Sequence, residues 1–478
     1  MALTIEQKPL YKTLAVGQDI IFTVKDDVIV ANNFNVKFVA NIYVSNDRAN
    51  LNTLSNRVAV LKTTPNNAGV GIFSLQPVLE SFVKSDNKGT ENGDGSTYKT
   101  VTFSNTTPHP IHLIDKYASS DNVTRFFMIE FFLEYSTTQT GVVTIDTTNF
   151  VLSEIYLFYN GFLQYNDVLN QIGNNYGYQL SDFNFVMNSN NDKFLSNAPA
   201  TQYARLTDYG TLSFFNFLST GDYSFQTGTD NATIYKVNYF NIKLYNSSNS
   251  LLATIQNNVT KANGSENVTN NLSNFKLNYF GAFPANLDGW STTYDTHKAN
   301  LSYYTIQAFD DNDDEISKIY TINIISDDCK GFESIRLTWL NPFGTWDYYT
   351  FTKKSVRSLS TNRSSYTQLE GSWNESTYMI DGFKGGKKNF RVNTKEMIRI
   401  NTDYLIDEDA VWFEDLINSP EVYLLNGFSS DSSGMVNKYV EPVTITTSSY
   451  TRKTKANDKL IQYTFEIEKT KNKRIQSA

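Results

Sequence analysis

The stretch Phe34-Asn-Val-Lys-Phe-Val-Ala-Asn-Ile-Tyr-Val44 decides the fold class. Phe34, Val36, Phe38, Ala40, Ile42 and Val44 alternate with Asn35, Lys37, Val39, Asn41 and Tyr43. Successive side chains of a strand point to opposite faces, so this period of two predicts a strand with one buried face. Residues 123–135 are apolar on both faces, as the central strand of a sandwich would be. Around these two, residues 19–27 read as a strand ending in an Asp26-Asp27 turn. Residues 58–61 and 70–75 read as further strands, and 77–83 as a single helical turn. Residues 85–97 hold Gly, Asn, Asp and Ser with little that is apolar, and read as a long polar loop.

The same texture continues. Residues 155–159 and 162–165 flank Asn160-Gly161, a pair that suits the positive-φ positions of a tight hairpin turn. Residues 233–245 and 251–256 flank the polar run 246–250, and residues 301–309 and 316–325 flank Asp310-Asp-Asn-Asp-Asp-Glu315. Both read as hairpins, in a β-sandwich of immunoglobulin-like texture. Residues 257–274 are rich in Asn and read as a loop or arm. Residues 334–340, Asn341-Pro-Phe-Gly344 and 345–352 form a hairpin pattern dense in aromatics. Residues 404–417 are the best helix candidate, with Asp407 and Asp409 near its start and Ser419-Pro420 ending it. Residues 422–425, 443–447 and 459–468 read as strands.

At roughly 150 residues per domain, 478 residues suggest about three domains. The expected division is 1–150, 151–330 and 331–478. The expected class is mainly β: tandem antiparallel β-sandwiches with a few short helices and long polar loops. Aromatic residues make up 14% of the chain and suit pleated, half-buried surfaces. The formal charge of −8 argues against a dedicated nucleic-acid binder, which would carry a basic footprint. Asn is unusually common, at 54 residues. Triplets such as Asn122-Val-Thr124 and Asn267-Val-Thr269 arise by chance in such a chain and say little about glycosylation. The single cysteine, Cys329, excludes an intramolecular disulfide. Glu6, Lys8 and Pro9 stand where a signal peptide would need an apolar core, and no run of 18 apolar residues exists. The expectation is synthesis in a cytoplasm, with no membrane span.

No catalytic constellation emerges. His109 and His112 are spaced three apart, but Pro108 and Pro110 disfavour the helix that would align them on a metal. Gly385-Gly386-Lys387-Lys388 lacks the P-loop spacing. Asp310, Asn312 and Asp314 echo three ligand positions of a calcium loop. Glu315 stands where that loop needs Gly, and Thr321 where it needs Glu. A solvated turn is the expectation, with adventitious Ca²⁺ binding the alternative. Trp290, Trp339, Trp346, Trp373 and Trp412 suit a core or an interface, or else platforms for a sugar ring. From Tyr450 to Ala478 eight cations face three carboxylates. The candidate interface residues are therefore Trp339, Trp346 and Trp373 with Arg452, Lys453, Lys455, Lys469, Lys471, Lys473 and Arg474. Neither catalytic nor metal-binding residues are expected, and no cofactor.

Several segments resemble the tail structural proteins, of hub or ring type, in virions of crAss-like bacteriophages. They are Trp412-Phe-Glu-Asp-Leu-Ile-Asn-Ser-Pro-Glu-Val-Tyr423, Val440-Glu-Pro-Val443, Lys459-Leu-Ile-Gln-Tyr-Thr-Phe-Glu-Ile-Glu468, Leu337-Thr-Trp-Leu-Asn-Pro-Phe-Gly-Thr-Trp-Asp347, Phe351-Thr-Lys-Lys-Ser355 and Phe194-Leu-Ser-Asn-Ala-Pro199. The opening Gln18-Asp-Ile-Ile-Phe-Thr-Val24, followed by residues 35–44, fits the same texture. The resemblance spans most of the chain and is one of word order. It implies a structural tail component of β-sandwiches in a symmetric oligomer, located in the virion. Its partners would be copies of itself and other tail proteins, with viral DNA passing nearby but no dedicated site for it. A receptor- or glycan-binding adhesin is the alternative. A depolymerase of parallel β-helix type would carry short regular repeats, and none is found.

Overall fold

The structure is a computed structural model. It describes residues 2–9, 11–46, 50–85, 117–120, 122–163, 185, 187, 189–215, 237–258, 277–288, 291–310, 312–325, 332–372, 375–405, 407–425, 440–449, 451 and 461–471. The fold is mainly β, with 49% of the described residues in strands and 12% in helices. Two compact units emerge. The first comprises Met1–Ile325 with Leu340–Asp347 and Ser429–Val436, and the second comprises Ser326–Trp339, Tyr348–Phe428 and Asn437–Ala478.

The first sandwich forms around the opening strands. These are β1 (Thr4–Gln7), β2 (Thr13–Ala15), β3 (Ile21–Lys25), β4 (Phe34–Ser45), β5 (Arg57–Thr63) and β6 (Val70–Ser74). They are followed by β7 (Tyr117–Ser120), β8 (Thr124–Ser136), β9 (Thr144–Leu152) and β10 (Tyr156–Tyr159). One sheet has the order β1-β3-β6, and the other β2-β10-β8-β4-β5, with β9 also on β8. β8 lies between β10 and β4, the central place its two apolar faces predict. On β4, Val36, Phe38, Ala40, Ile42 and Val44 enter the shared core. Phe34 is instead exposed. Asn35 takes a left-handed φ of 55°, and the register on β8 shifts between Phe34 and Lys37, so the inward face begins at Val36. Across the core, Phe22 of β3 meets Phe127 of β8 at 6.3 Å and Tyr156 of β10 at 5.5 Å, both edge-on. Each buried aromatic contributes about 1.5–3 kcal/mol by leaving water. Asp26 does not make a turn. Its Oδ1 accepts from Ile29 N at 3.0 Å and caps a short helix, Asp27–Asn32.

A second sandwich follows, from β11 (Thr201–Ala204), β12 (Thr211–Phe215), β13 (Tyr239–Tyr245), β14 (Leu251–Asn258), β15 (Leu277–Gly281), β16 (Tyr303–Phe309) and β17 (Tyr320–Ile324). Its sheets have the orders β12-β15-β7 and β11-β17-β16-β13-β14. The two expected hairpins, β13–β14 and β16–β17, are both present and antiparallel. Facing rings fill the space between the sheets: Phe240 stacks on Phe280 at 4.4 Å and meets Phe214 at 5.4 Å. The sheets are not purely antiparallel, because β11 runs parallel to β17 and β10 parallel to β2. β10 joins the first sheet and β7 joins the second sandwich, so hydrogen-bonded sheets cross residue 150 in both directions.

The last strands are β18 (Ile335–Leu340), β19 (Trp346–Phe351), β20 (Val356–Gln368), β21 (Gly386–Asn401), β22 (Val422–Leu425), β23 (Val440–Ile445) and β24 (Thr464–Lys469). They form one sheet in the order β19-β18-β22-β23-β24-β21-β20. The predicted helix runs over Asp407–Asn418. It starts later than the apolar pattern suggests, because Leu405 is held in a bridge to Ile461. Its Phe413 stacks on Phe465 of β24 at 5.7 Å and meets Tyr349 edge-on at 4.9 Å.

Candidate functional site

The resemblance rests in part on Phe194–Pro199 and Leu337–Asp347, segments far apart in sequence. The parts of them that lie in the first unit, Phe194–Pro199 and Leu340–Asp347, are bonded together. Ser196 Oγ donates to Asp347 Oδ1 at 2.6 Å. Asn341 Nδ2 donates to Leu195 O at 2.9 Å and to Asp347 Oδ1 at 3.0 Å. Thr345 Oγ1 donates to the same Leu195 carbonyl at 2.7 Å. Asn341 Oδ1 in turn accepts from Phe343 N and Thr345 N, which sets the turn between β18 and β19. Ser196, Asn341, Thr345 and Asp347 are all buried. Buried polar groups are tolerated when their bonds are completed inside, so this is a polar lock that fixes one arrangement of the chain.

Two glycines let the lock close. Gly344 has a φ of +73°, and a Cβ there would lie 1.9 Å from Asn160 O. Gly161 is not in a left-handed conformation, so Asn160-Gly161 is not the expected tight hairpin turn. Its role is close approach: a Cβ would meet the Tyr159 ring at 2.3 Å and Pro342 O at 3.0 Å. Phe162 N donates to that same Pro342 carbonyl at 2.7 Å.

The expected interface residues fare differently. Trp339 is fully buried, 5.2 Å from the Trp412 ring, and Trp346 is 2% exposed. Trp412 is also buried. These three rings belong to the interior, which removes Trp339 and Trp346 from any surface. Lys469 is the last residue of β24 and pairs with Glu441 at 3.0 Å, so its charge is met by an acid of its own chain. Lys471 is exposed. Trp373, Arg452, Lys453, Lys455, Lys473 and Arg474 lie outside the described residues. So do Trp290, His109, His112, Cys329 and nearly all of the two long polar loops.

The acidic turn is a backbone cap. Asp310 Oδ1 accepts from Asn312 N and Asp314 N, each at 2.9 Å, and Asp313 takes the left-handed position at φ 66°. Tyr239 Oη donates to Asp313 Oδ1 at 3.1 Å. Among the described residues no group of three or more His, Cys, Asp or Glu side chains is placed to hold a metal ion. Ionisation follows packing and pairing. Burial pushes the phenols of Tyr159 and Tyr320 up, and the Arg357 hydrogen bond holds the Glu333 carboxyl below its usual range.

The largest feature that sequence reasoning missed is the ribbon of β20 and β21, paired antiparallel from Val356↔Arg399 to Gln368↔Gly386. β24 flanks β21 only over Met397–Asn401. Beyond that the ribbon is two-stranded, and residues 356–367 are all exposed. Its far end carries Leu369, Ile380 and Phe383 at 67%, 73% and 74% exposure. Charge is also unevenly divided. The first unit contains 20 cations and 31 carboxylates, a net −11, and the second 21 and 18, a net +3.

No protein-family model matches the chain, and no curated protein matches it. Among solved structures, one match is the native conformation of alpha-2-macroglobulin from E. coli, at a TM-score of 0.17 and 7% identity. The match covers 83% of this chain and 22% of that one, so this chain spans about a fifth of that protein's length. At that score neither fold nor function carries over. Among the described residues no helix is long and apolar enough to cross a membrane.

Proposed function

We propose that this chain is a structural subunit of a bacteriophage tail, of the hub or ring kind, that assembles in the virion with copies of itself and with other tail proteins. The observation that supports this reading is the polar lock. Two of the segments that resemble tail proteins meet through Ser196, Asn341 and Asp347, all of them buried. Bracing of this kind suits a subunit that must hold its shape in an assembly. The reading assigns the chain no catalytic step. Trp339, Trp346 and Trp412 are enclosed and offer no platform to a sugar ring.

The test is mass spectrometry and cryo-electron microscopy of purified particles from the phage that encodes the chain. The expected result is the chain in a fixed copy number, arranged as a ring in the tail. Its absence from purified particles, or scattered single copies on their surface, would overturn the reading.

A further inference from the structure

We infer that the β20–β21 ribbon is an assembly arm that docks on the acidic first unit of a second copy of this chain. The inference rests on the reading of the chain as an assembling subunit and names the contact.

Three observations carry it. First, among the described residues nothing covers either face of β20 over residues 356–367. A two-stranded ribbon alone is marginal in water, and natural proteins cover or blunt long sheet edges. β20 is an edge strand along its whole length, and β21 has no second neighbour over residues 386–396 among the described residues. Second, the far end is apolar where a solvated turn would be polar. Leu369, Tyr378, Met379, Ile380 and Phe383 are each more than half exposed and fall within fifteen residues of chain. Exposed apolar clusters of this kind mark interaction sites.

Third, charge selects the occupant. Between Val356 and Asn401 there are eight cations and four carboxylates. Arg357, Lys384 and Lys395 are paired within the chain, to Glu333 and Glu396, to Asp381 and to Glu468. The first unit carries the opposite balance, a net −11. A basic arm from one copy and an acidic unit on the next are complementary, and like-charged surfaces would not meet. Such a contact is heterologous: each copy offers its own arm and receives another's, which closes into a ring when the rotation allows. Nucleic acid would match the cations but not the tip. Phosphates offer nothing to Leu369, Ile380 and Phe383, and Glu370, Glu375 and Asp381 lie among them.

The experiment uses the full chain. Self-association is measured by light scattering and native mass spectrometry from 1 to about 100 µM, at low and high salt. Two variants are compared: L369S/I380S/F383S at the tip, and R363E/K387E/R391E on the strands. All six side chains lie on the ribbon, and unchanged melting temperatures report that the variants fold. A photocrosslinker at Ile380 maps what the tip touches. Expected are concentration-dependent oligomers of the wild type, association weakened at least tenfold in both variants, and crosslinks to residues 1–325 of another copy. The charge variant should lose its deficit at high salt. A wild type that stays monomeric throughout, or a tip variant that associates like wild type, overturns the inference. So does binding to a labelled DNA duplex that is lost in the charge variant and kept in the tip variant. Detection of the chain in virions with any of those results would leave the tail reading standing without the arm, whereas its absence from virions would remove that reading alone.

Discussion

Ser196 and Asp347 share a 2.6 Å hydrogen bond although 151 residues separate them, and both side chains are buried. Asp347 also receives Asn341 Nδ2, and Asn341 orders the turn that carries them both. The bond closes a long excursion of the chain through a few polar atoms. Such a closure has a large loop-entropy cost, so its contribution to stability lies in bonds completed away from water.

Asn341→Ala tests the lock. The substitution removes every bond of that side chain and leaves Phe343 N and the Asp347 carboxylate short of partners in a buried place. A buried polar group left unpaired costs about 1–3 kcal/mol. The first unit should therefore lose about 2–4 kcal/mol, read as a lower urea midpoint at unchanged slope. Ser196→Ala should cost less, because Asn341 still serves Asp347. An Asn341→Ala chain with the wild-type midpoint would show that the lock contributes nothing.

Gly344→Ala and Gly382→Ala differ by the space around them. At Gly344 the φ is +73° and a Cβ would stand 1.9 Å from a backbone oxygen, whereas at Gly382 nothing lies within 4 Å. Left-handed strain alone costs roughly 1–2 kcal/mol for a residue with a Cβ, and the clash forces the turn to move as well. Gly344→Ala should lower the melting temperature by several degrees and raise amide exchange at Leu195 and Ser196. Gly382→Ala should melt as the wild type does.

The sandwiches were legible because their strands bury one face, and burial writes a period of two into the sequence. Phe38, Ala40 and Ile42 are examples. The β20–β21 ribbon was not legible for the complementary reason. Residues 356–367 bury neither face, so Ser358, Ser360, Asn362 and Ser364 alternate with nothing systematically apolar. The one available signal is a run of Ser and Thr between two basic residues, Arg357 and Arg363, free of Gly and Pro. Asn160-Gly161 misled because a glycine reads the same whether it supplies a left-handed φ or room for a neighbour. The lock was visible only as two segments of a resemblance, since nothing local says that Ser196 and Asp347 meet. The Trp339 and Trp346 rings are as compatible with a core as with a surface, and tertiary burial decides between them.

Chelation should leave the chain unchanged. Asp310 Oδ1 is occupied by two backbone N–H groups, so the carboxylate acts as a cap. Addition of EDTA should leave the melting temperature where it is, and Asp310→Asn, which keeps the accepting oxygen, should be nearly neutral. Asp310→Ala should cost about 1 kcal/mol through the lost cap. A fall of several degrees with EDTA would mean that a bound ion stabilises the native state by linkage.

The C-terminal segment divides sharply at Thr470. Before it, β24 pairs with β21 over Met397–Asn401 and with β23 over Val443–Ile445. It holds Phe465 and Ile467 in the core at 1% and 0% exposure. Thr470 itself bonds Pro442 O through its hydroxyl at 3.0 Å. Lys471 is exposed, and Lys473 and Arg474 follow it in sequence. A chain ending at Thr470 should therefore melt within about one degree of the wild type, because exposed charges contribute roughly 0–1 kcal/mol each. A chain ending at Tyr463 should lose the second unit. The two core side chains alone represent about 3–6 kcal/mol, and β21 and β23 lose the strand between them. Assembly gives a separate readout. If the three cations beyond Thr470 meet acids of a neighbouring copy, the shorter truncation weakens oligomers at low salt and leaves them alike at high salt. Loss of the folded second unit on removing residues 471–478 would show instead that the terminus belongs to the core.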